Sequence, residues 1–237
     1  MTKLSSDVDH RPRVAAERRG RMRDRLIECA MLVFADKGVG ASVIQDVIAA
    51  AGVSQGSFYN HFRTNTDLLE AVTQELNNEL LQLIETEVGD YDDPALRIAS
   101  GVRMYLHSAC AYPQLGRFIC AVGLHSAGPS SLIYVYLPPH IEQGLATKRF
   151  QNITVDVALD LIAGTALATT ARIASGQSDA TQPERAVAAI LRGLGVPADE
   201  ADALTRAPLA RVVAPQTSLL ERGRQRAEER AASTGVR

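Results

Sequence analysis

The chain has 237 residues, of which 46% are hydrophobic and 22% are charged, and its formal net charge at pH 7 is −2. These values are ordinary for a globular protein with a sizeable core, and they exclude a generic polycation. The three cysteines are too few and odd in number for a disulfide framework, no signal sequence is recognisable, and no run approaches the roughly 18 apolar residues of a membrane span. We therefore expect a cytoplasmic protein with no membrane partner.

Charge is distributed unevenly along the chain. Residues 1–63 carry a formal charge of +3, whereas the remainder carries −5. A basic end on an acidic body is typical of a protein that approaches nucleic acid with one end. Residues 1–20 lack hydrophobic periodicity and are predicted to be a flexible basic arm. Arg21 and Arg23, which follow it, are candidates for contacts with DNA phosphates, and a solvated tail is the alternative for the arm.

An apolar stripe from Met22 to Phe34 predicts a first helix that runs to about Lys37 and ends at Gly38. Ser42 and Gln45 then have the spacing of a capping box, which marks the start of a second helix.

The second helix, which starts near Ser42, should end sharply at Gly52, because glycine takes positive φ without steric cost. Ser54 can cap a third helix, predicted to run through Phe62. Two short helices joined by a tight glycine-containing turn describe a helix-turn-helix, whose second helix lies in the major groove of DNA. The alternative is a helical hairpin that serves only as core. Side chains able to pair with base edges face outward: Gln55, Ser57, Asn60 and His61.

The segment AGVSQGSFYNHF, residues 51–62, closely resembles the DNA-binding signature of the TetR family of transcriptional regulators. Two positions depart from the family pattern. Ile48 stands where the family usually has a small alanine, and Asn65 stands where it usually has a lysine that contacts the DNA backbone. The resemblance and the residue chemistry together predict that the following residues bind DNA: Arg21, Arg23, Ser42, Ser54, Gln55, Gly56, Ser57, Tyr59, Asn60, His61 and Asn65.

Apolar residues recur at helical intervals from Leu68 to Val88 and predict a long fourth helix that leaves the DNA-binding domain and enters the next one. The domains expected are a helix-turn-helix domain at 21–65, a helical ligand-binding and dimerisation domain at 66–215, and a charged tail at 216–237. The predicted fold class is therefore all-α, with a three-helix DNA-binding head and a helical body.

The body is expected to hold a small ligand, as the resemblance implies for TetR-like proteins. Apolar walls with a few polar groups are the composition of a ligand pocket. A purely structural role in the core is the alternative for each candidate. The predicted lining residues are Met104, His107, Cys110, Phe118, Leu124, His125, Tyr134, Tyr136 and Phe150.

No metal or cofactor is expected. His107 and His125 lack the spacing of a metal site, and nothing near Cys110 or Cys120 marks a reactive thiol pair.

Two helices, predicted at 155–175 and 183–194, are candidates for a four-helix dimer interface, and the resemblance implies the same region. The alternative is an intrachain core only. The expected interface residues are Leu159, Ile162, Ala166, Thr169, Ile173, Val187, Ile190, Leu191 and Leu194.

The sequence thus predicts a homodimeric DNA-binding repressor that a small molecule releases from a pseudo-palindromic operator. No nucleophile elbow, phosphate-binding loop or dinucleotide fingerprint indicates an enzyme. The alternatives are a DNA-binding protein without a ligand and a helical enzyme with a vestigial DNA-binding head.

Overall fold

The computed structural model describes residues 10–40, 43–123 and 131–234. Every regular element within these ranges is helical, which confirms the predicted all-α fold. In chain order the helices are α1 His10–Lys37, α2 Val43–Ala51, α3 Gln55–Tyr59, α4 Asn65–Val88, α5 Pro94–Ala111, α6 Pro113–Val122, α7 Ile133–Ala146, α8 Val155–Ala174, α9 Gln182–Gly193, α10 Ala198–Thr205 and α11 Leu219–Thr234.

The head consists of α1, α2, α3 and the start of α4, and its turns are made as the sequence predicts. Gly38 and Gly52 adopt φ of +80° and +62°, which end α1 and α2 in the conformation that glycine accommodates best. Val43, Val47 and Ala51 form the buried face of α2.

The first helix begins earlier than predicted, because α1 includes much of the segment expected to be an arm. Glu17 lies 3.3 Å from Arg13 and 4.0 Å from Arg21, so it has arginines four residues away on both sides. Such pairs support an exposed helix, and Pro12 falls in the first turn, where a proline is tolerated. Hydrophobic periodicity gave no sign of this extension, because its exposed turns need no apolar face.

The fourth helix joins the head to the body. Thr64 caps it by accepting a hydrogen bond from the Asp67 amide at 3.0 Å. Its 24 residues span about 36 Å at the usual rise per residue. Buried residues run along its whole length, from Leu68 in the head to Val88 in the body. The predicted boundary at residue 65 therefore falls at the start of a helix that both domains share.

The body is built around α5, which packs against α4, α6, α7, α8, α9 and α10. The apolar residues of α5, α8 and α9 form one continuous core there. Gly193 permits the close approach of α9 to α8, since a Cβ at this position would lie 2.6 Å from a methyl group of Leu161.

The seventh helix continues through Pro138 and Pro139. The two prolines withdraw the amides that would bond to the carbonyls of Tyr134 and Val135, and both of these residues are exposed, so water can satisfy the carbonyls.

Most of the charged tail expected at 216–237 is an ordered helix, since α11 packs against α1, α4 and α6. Leu219 and Leu220 are both 1% exposed. Their amides donate to the carboxylate of Glu79 on α4, at 2.7 and 3.2 Å, which satisfies two of the free N–H groups at the start of the helix. Two leucines and one carboxylate from a distant helix therefore anchor this segment.

A buried charge cluster also holds α11 to the head. Glu28 of α1 is only 9% exposed and forms ion pairs with Arg222 at 2.6 Å and Arg226 at 3.2 Å. The arginines that made the segment look like a solvated tail are thus partners of an acid on α1.

Asp93 provides a testable stabilising contact within the body. It caps α5 by accepting from the Ala95 amide at 3.0 Å, and it accepts two hydrogen bonds from Arg149, at 2.8 and 3.0 Å. Asp93→Ala should lower the free energy of unfolding at pH 7 by about 1 kcal/mol, the usual magnitude for a lost cap. Urea unfolding followed by circular dichroism measures this, with the exposed neighbour Asp92→Ala as the control.

The same carboxylate predicts the pH dependence of that difference. The hydrogen bonds from Arg149 hold the pKa of Asp93 below its usual 3.8. The contribution is therefore fully present above about pH 4 and is lost as the pH falls through the lower folded-state pKa. An Asp93→Ala difference that grew on acidification from pH 7 would contradict this account.

Candidate functional site

The third helix is the centre of the first candidate site. It is shorter than predicted, ending at Tyr59 instead of Phe62. Ser54 caps it by accepting from the Ser57 amide at 3.2 Å. The chain turns at Asn60 because Phe62 has to return to the core before Thr64 starts the next helix.

Two aromatic rings hold this short helix in place. Phe58 is 0% and Phe62 4% exposed, and their ring centroids lie 6.1 Å apart. Tyr59 packs edge-on against Phe58 at 5.3 Å but remains 46% exposed. The buried pair therefore orients the opposite face of the helix toward solvent.

The predicted base-reading residues lie on that solvent side. Gln55, Gly56 and Asn60 are exposed, and Ser57 and His61 are partly exposed. A Cβ on Gly56 would meet nothing within 4 Å, so the surface is open to a ligand at this point.

The N-terminal extension of α1 contributes to the same surface. Arg18 and Arg19 of α1 line a depression together with Ser57 and His61. Burial, followed by the charges of Arg23 and Arg19, lowers the pKa of His61, which favours the neutral imidazole. A neutral imidazole can both donate and accept a hydrogen bond, as base edges require. Arg18 and Arg19 were part of the predicted arm, but periodicity could not place them beside α3.

Several predicted backbone-binding residues have partners within the protein. The side-chain amide of Asn65 donates to the carbonyls of Val39 at 3.0 Å and Gly40 at 3.4 Å. We therefore correct its expected phosphate contact to a positioning role, which ties the start of α4 to the loop after α1. The oxygen of Ser54 is likewise used in its cap.

The two predicted arginines differ in their surroundings. Arg23 pairs with Glu75 at 3.0 Å and lies 5.8 Å from the centroid of the Phe62 ring, so it supports the head. The side chain of Arg21 is 70% exposed, and its guanidinium lies 4.0 Å from the carboxylate of Glu17, which is a weak ion pair. Arg21 is therefore available to a phosphate. Ser42 lies outside the described residues.

The second candidate site is a cavity of about 430 Å³ enclosed by α4, α5, α7 and α8. Tyr134 and Tyr136 line it, as predicted from the sequence. Its walls are otherwise mostly aliphatic, which is the usual composition of a site for a small organic molecule.

The other predicted lining residues that the structure describes lie elsewhere. Met104 and Phe118 are packed in the core that joins the head and the body, and the ring of Phe150 lies against Gly144. Cys110 is exposed. These corrections share one reason: an apolar residue on a helix can face any of several neighbours, and periodicity does not say which one.

The structure describes one of the two predicted histidines, and that one does not line the cavity. His107 pairs with Glu184 at 2.9 Å away from the cavity, and Leu124 and His125 lie outside the described residues. Among the residues that the structure describes, His140 is the histidine that lines the cavity, and it was not among the predicted candidates. It follows Pro139 in α7.

The polar end of the cavity is a three-residue chain. Arg97 donates from Nη1 to Nδ1 of His140 at 2.9 Å, and Nε2 of His140 lies 3.2 Å from both carboxylate oxygens of Glu85. Because a guanidinium can only donate, Nδ1 must be the acceptor, and Nε2 carries the proton that it donates to Glu85. The three residues come from three helices, so no spacing in the sequence marks them.

The surroundings of the three cysteines raise the pKa of their thiols. Burial does so for Cys29, and partial desolvation does so for Cys110 and Cys120, although both of these residues lie at the surface. A raised pKa disfavours the thiolate, which is the nucleophilic form. Within the part of the chain that the structure describes, no group of three or more histidine, cysteine or acidic residues could hold a metal ion.

The residues predicted for the dimer interface are mostly buried within a single chain. They face the core of the body, because α8 is apolar on more than one side and periodicity does not distinguish its inner side from its outer side. Those that are at most 9% exposed are Leu159, Ile162, Ala166, Thr169, Val187, Ile190, Leu191 and Leu194, and Ile173 is partly exposed.

The opposite side of α8 is apolar and exposed. Val157 is 52% exposed, and Gly164, Ala168 and Ala171 are exposed as well. By length and composition alone α8 could cross a membrane. Its most apolar 18-residue stretch has a mean hydropathy of 1.4, and 22% of that stretch is buried inside the protein. Its other side packs on α5, α6, α7 and α9, as expected of a helix in a folded bundle. An apolar strip therefore remains uncovered in the monomer.

Comparison with known proteins matches both halves of the chain. Residues 26–72 match the family described as "Bacterial regulatory proteins, tetR family", and residues 93–207 match "Tetracyclin repressor-like, C-terminal domain". The α11 segment lies beyond both matches.

Among individual proteins, the chain is 37% identical over 76 residues to the HTH-type transcriptional repressor DhaR of Mycobacterium sp. (strain GP1), covering 32% of this chain and 38% of DhaR. It is 36% identical over 53 residues to the HTH-type transcriptional repressor KstR2 of Mycolicibacterium smegmatis (strain ATCC 700084 / mc(2)155), covering 22% of this chain and 26% of KstR2. The matches thus span about two fifths or less of these relatives.

A solved structure extends the likeness to the body. The crystal structure of RolR in complex with resorcinol superposes with a TM-score of 0.67 at 27% identity, covering 84% of this chain and all of RolR. The head and the body thus match the same kind of protein in the same order. The chain belongs to the TetR family of bacterial regulatory proteins.

Proposed function

We propose that this protein is a cytoplasmic, homodimeric transcriptional repressor that a small-molecule effector releases from a pseudo-palindromic operator. The head binds DNA through α3 and the adjoining surface of α1, and the body binds the effector in the cavity. No enzymatic activity is part of this proposal.

The observation that carries the proposal is the course of α4. Near its start, Leu68 and Val72 are buried in the core of the head. Near its end, Ile84, Glu85 and Val88 line the cavity. An effector that contacts the end of this helix therefore has a continuous, packed element between itself and the head.

Release requires a difference in affinity between two conformations. An effector weakens operator binding only if it binds better to a conformation in which the two heads are spaced wrongly for DNA. Because α4 forms one wall of the cavity, a shift of that wall changes the volume available to the effector. The same shift moves the head, which gives the required coupling.

The relatives support this assignment. DhaR and KstR2 are named transcriptional repressors, and the structure of RolR was determined with resorcinol bound. Their similarity to this chain makes DNA binding by the head and ligand binding by the body the best-supported roles.

Dimerisation is proposed through the exposed side of α8, together with the neighbouring exposed side of α9. Monomeric proteins seldom leave a long apolar strip in water. A twofold symmetric dimer covers the same strip on both subunits and places two heads for paired half-sites on DNA.

The direct test is a mobility-shift titration with DNA from upstream of the protein's own reading frame, with random DNA as competitor. We expect specific binding in the nanomolar range, within the usual span of roughly 10⁻⁸ to 10⁻¹¹ M. Binding no tighter than to the competitor across several upstream regions would contradict the proposed function.

Two kinds of head variant should behave differently. Gln55→Ala and Asn60→Ala remove exposed groups that can pair with base edges, so each should reduce the preference for operator over random DNA by about tenfold. Arg21→Ala should weaken binding to operator and random DNA by the same factor. It should also reduce the slope of log affinity against log salt concentration by about one, because one counterion fewer is released. Titrations at three salt concentrations measure both effects.

Ser178→Ala is the control for these titrations, because Ser178 lies in the loop between α8 and α9 of the body. It should leave the affinity for both operator and random DNA unchanged. Equal losses on operator and random DNA for Asn60→Ala would remove its base-reading role.

A further inference from the structure

The polar chain in the cavity identifies the chemistry of the effector. We infer that the effector is a neutral molecule of one or two rings that carries a hydroxyl group, and that this hydroxyl donates a hydrogen bond to Glu85. The inference rests on the proposed function, since it names the ligand class of the same cavity.

The polar end of the cavity is balanced in charge before any ligand arrives. The guanidinium of Arg97 and the carboxylate of Glu85 are joined through the neutral imidazole of His140. A ligand with a net charge would therefore leave one charge uncompensated beside apolar walls, which is costly. Asp160, the other acidic residue of the lining, is exposed, so its charge is screened by water. These charges favour a neutral ligand.

Most donors of Arg97 are already used within the protein. Its Nη1 group donates to His140 and to Gln143, and its Nη2 group donates to the carbonyl of Tyr91. Its Nε atom is buried and has no hydrogen-bond partner in the structure. A carboxylate ligand would therefore have to compete with these acceptors for the guanidinium while lying beside the carboxylate of Glu85.

Glu85 is the group that remains able to bind a ligand. Its side chain is 26% exposed and accepts from the single N–H of His140. A carboxylate has about four acceptor positions, so several remain for a ligand that lines up beside it. Since carboxylate oxygens only accept, the matching group on the ligand has to be a donor, and a hydroxyl is a neutral donor.

The walls of the cavity match the remainder of such a molecule. Aliphatic side chains of α4, α5 and α8 and the rings of Tyr105, Tyr134 and Tyr136 form them. The volume of about 430 Å³ is in the lower part of the range for small-ligand sites, which suits one or two rings. Tyr105 is one of these lining residues, and burial raises the pKa of its phenol, which therefore stays neutral.

The test is isothermal titration calorimetry of the full-length protein with four probes that share one ring and one alkyl chain. They are 4-propylphenol, propylbenzene, 4-propylbenzoate and 4-propylbenzylamine, which present a neutral donor, no polar group, an anion and a cation. We expect 4-propylphenol to bind at least about tenfold more tightly than each of the others, as for a hydrogen bond to a charged acceptor.

Variants tie that preference to Glu85. Glu85→Gln should reduce the preference for 4-propylphenol over propylbenzene by about tenfold, because a neutral amide oxygen is a weaker acceptor. Tyr105→Phe, which removes only a hydroxyl, should leave the Glu85-dependent part of the preference in place. Glu87→Gln, an exposed change on the same helix, is the matched control and should change nothing.

Three results would overturn the inference. The first is that the benzoate or the benzylamine binds most tightly. The second is that the phenol and propylbenzene bind equally well. The third is that the phenol does not bind at concentrations up to millimolar. A full preference retained in folded Glu85→Gln would remove Glu85 from the role. A mobility-shift titration without probe separates these failures from failure of the proposed function, because operator binding does not depend on the probe. A phenol that binds but does not release DNA would contradict effector release and leave the ligand class standing.

Discussion

Replacing Ala168 with glutamate is expected to convert the dimer into monomers while each chain stays folded. Ala168 is exposed on the apolar side of α8, so in the monomer a carboxylate there remains in water. In the proposed dimer the same side is covered by the partner, and twofold symmetry brings two added charges into one interface. Unpaired charges buried in this way cost several kcal/mol each.

Operator affinity should fall by about a hundredfold or more in Ala168→Glu, because the two half-sites are then bound independently rather than as a linked pair. Sedimentation velocity measures the loss of the dimer, and a mobility-shift titration measures the loss of affinity. Ala203→Glu, on the exposed side of α10, is the matched control and should remain dimeric. A dimeric Ala168→Glu protein with normal affinity would rule out this face as the interface.

The second large effect is expected for Phe58→Ala in the head. Phe58 is fully buried and is the only residue of α3 that is. A five-residue helix has no stability of its own, so its position depends on this ring. The substitution should lower the free energy of unfolding of the head by about 3 to 5 kcal/mol, the usual range for a deleted core aromatic. Specific operator binding should be lost with it.

Urea unfolding followed by circular dichroism measures the stability of Phe58→Ala, and hydrogen exchange shows whether the loss is confined to the head. Tyr59→Ala is the control for stability, because that side chain is 46% exposed and should cost less than about 1 kcal/mol. If Phe58→Ala retained both stability and specific binding, the buried ring could not be what orients α3.

The head was predictable because its signals are local. Gly38 and Gly52 stop their helices through their own backbone conformations, and Ser54 caps α3 through an amide three residues away. Such interactions are complete within one or two turns of chain.

The cavity was not predictable in the same way. Arg97, His140 and Glu85 are brought together from α5, α7 and α4, and contacts 43 and 55 residues apart in the chain hold them. Helical periodicity identifies which residues of a helix are apolar, but it does not identify the helix that each side faces. Phe118 and Phe150 were therefore expected in the cavity although they are packed in the core.

What the amino-acid sequence by itself determined about this protein is the all-helical fold, most helix ends and the DNA-reading motif, because caps, glycine turns and apolar repeats act over a few residues. Only the tertiary structure decided which side of α8 is inside, which residues line the cavity and where the C-terminal helix packs. Ala166 and Ala168 show the reason: both are small residues on one helix, yet one is buried and the other exposed. Their difference comes from neighbouring helices that lie far away in the chain.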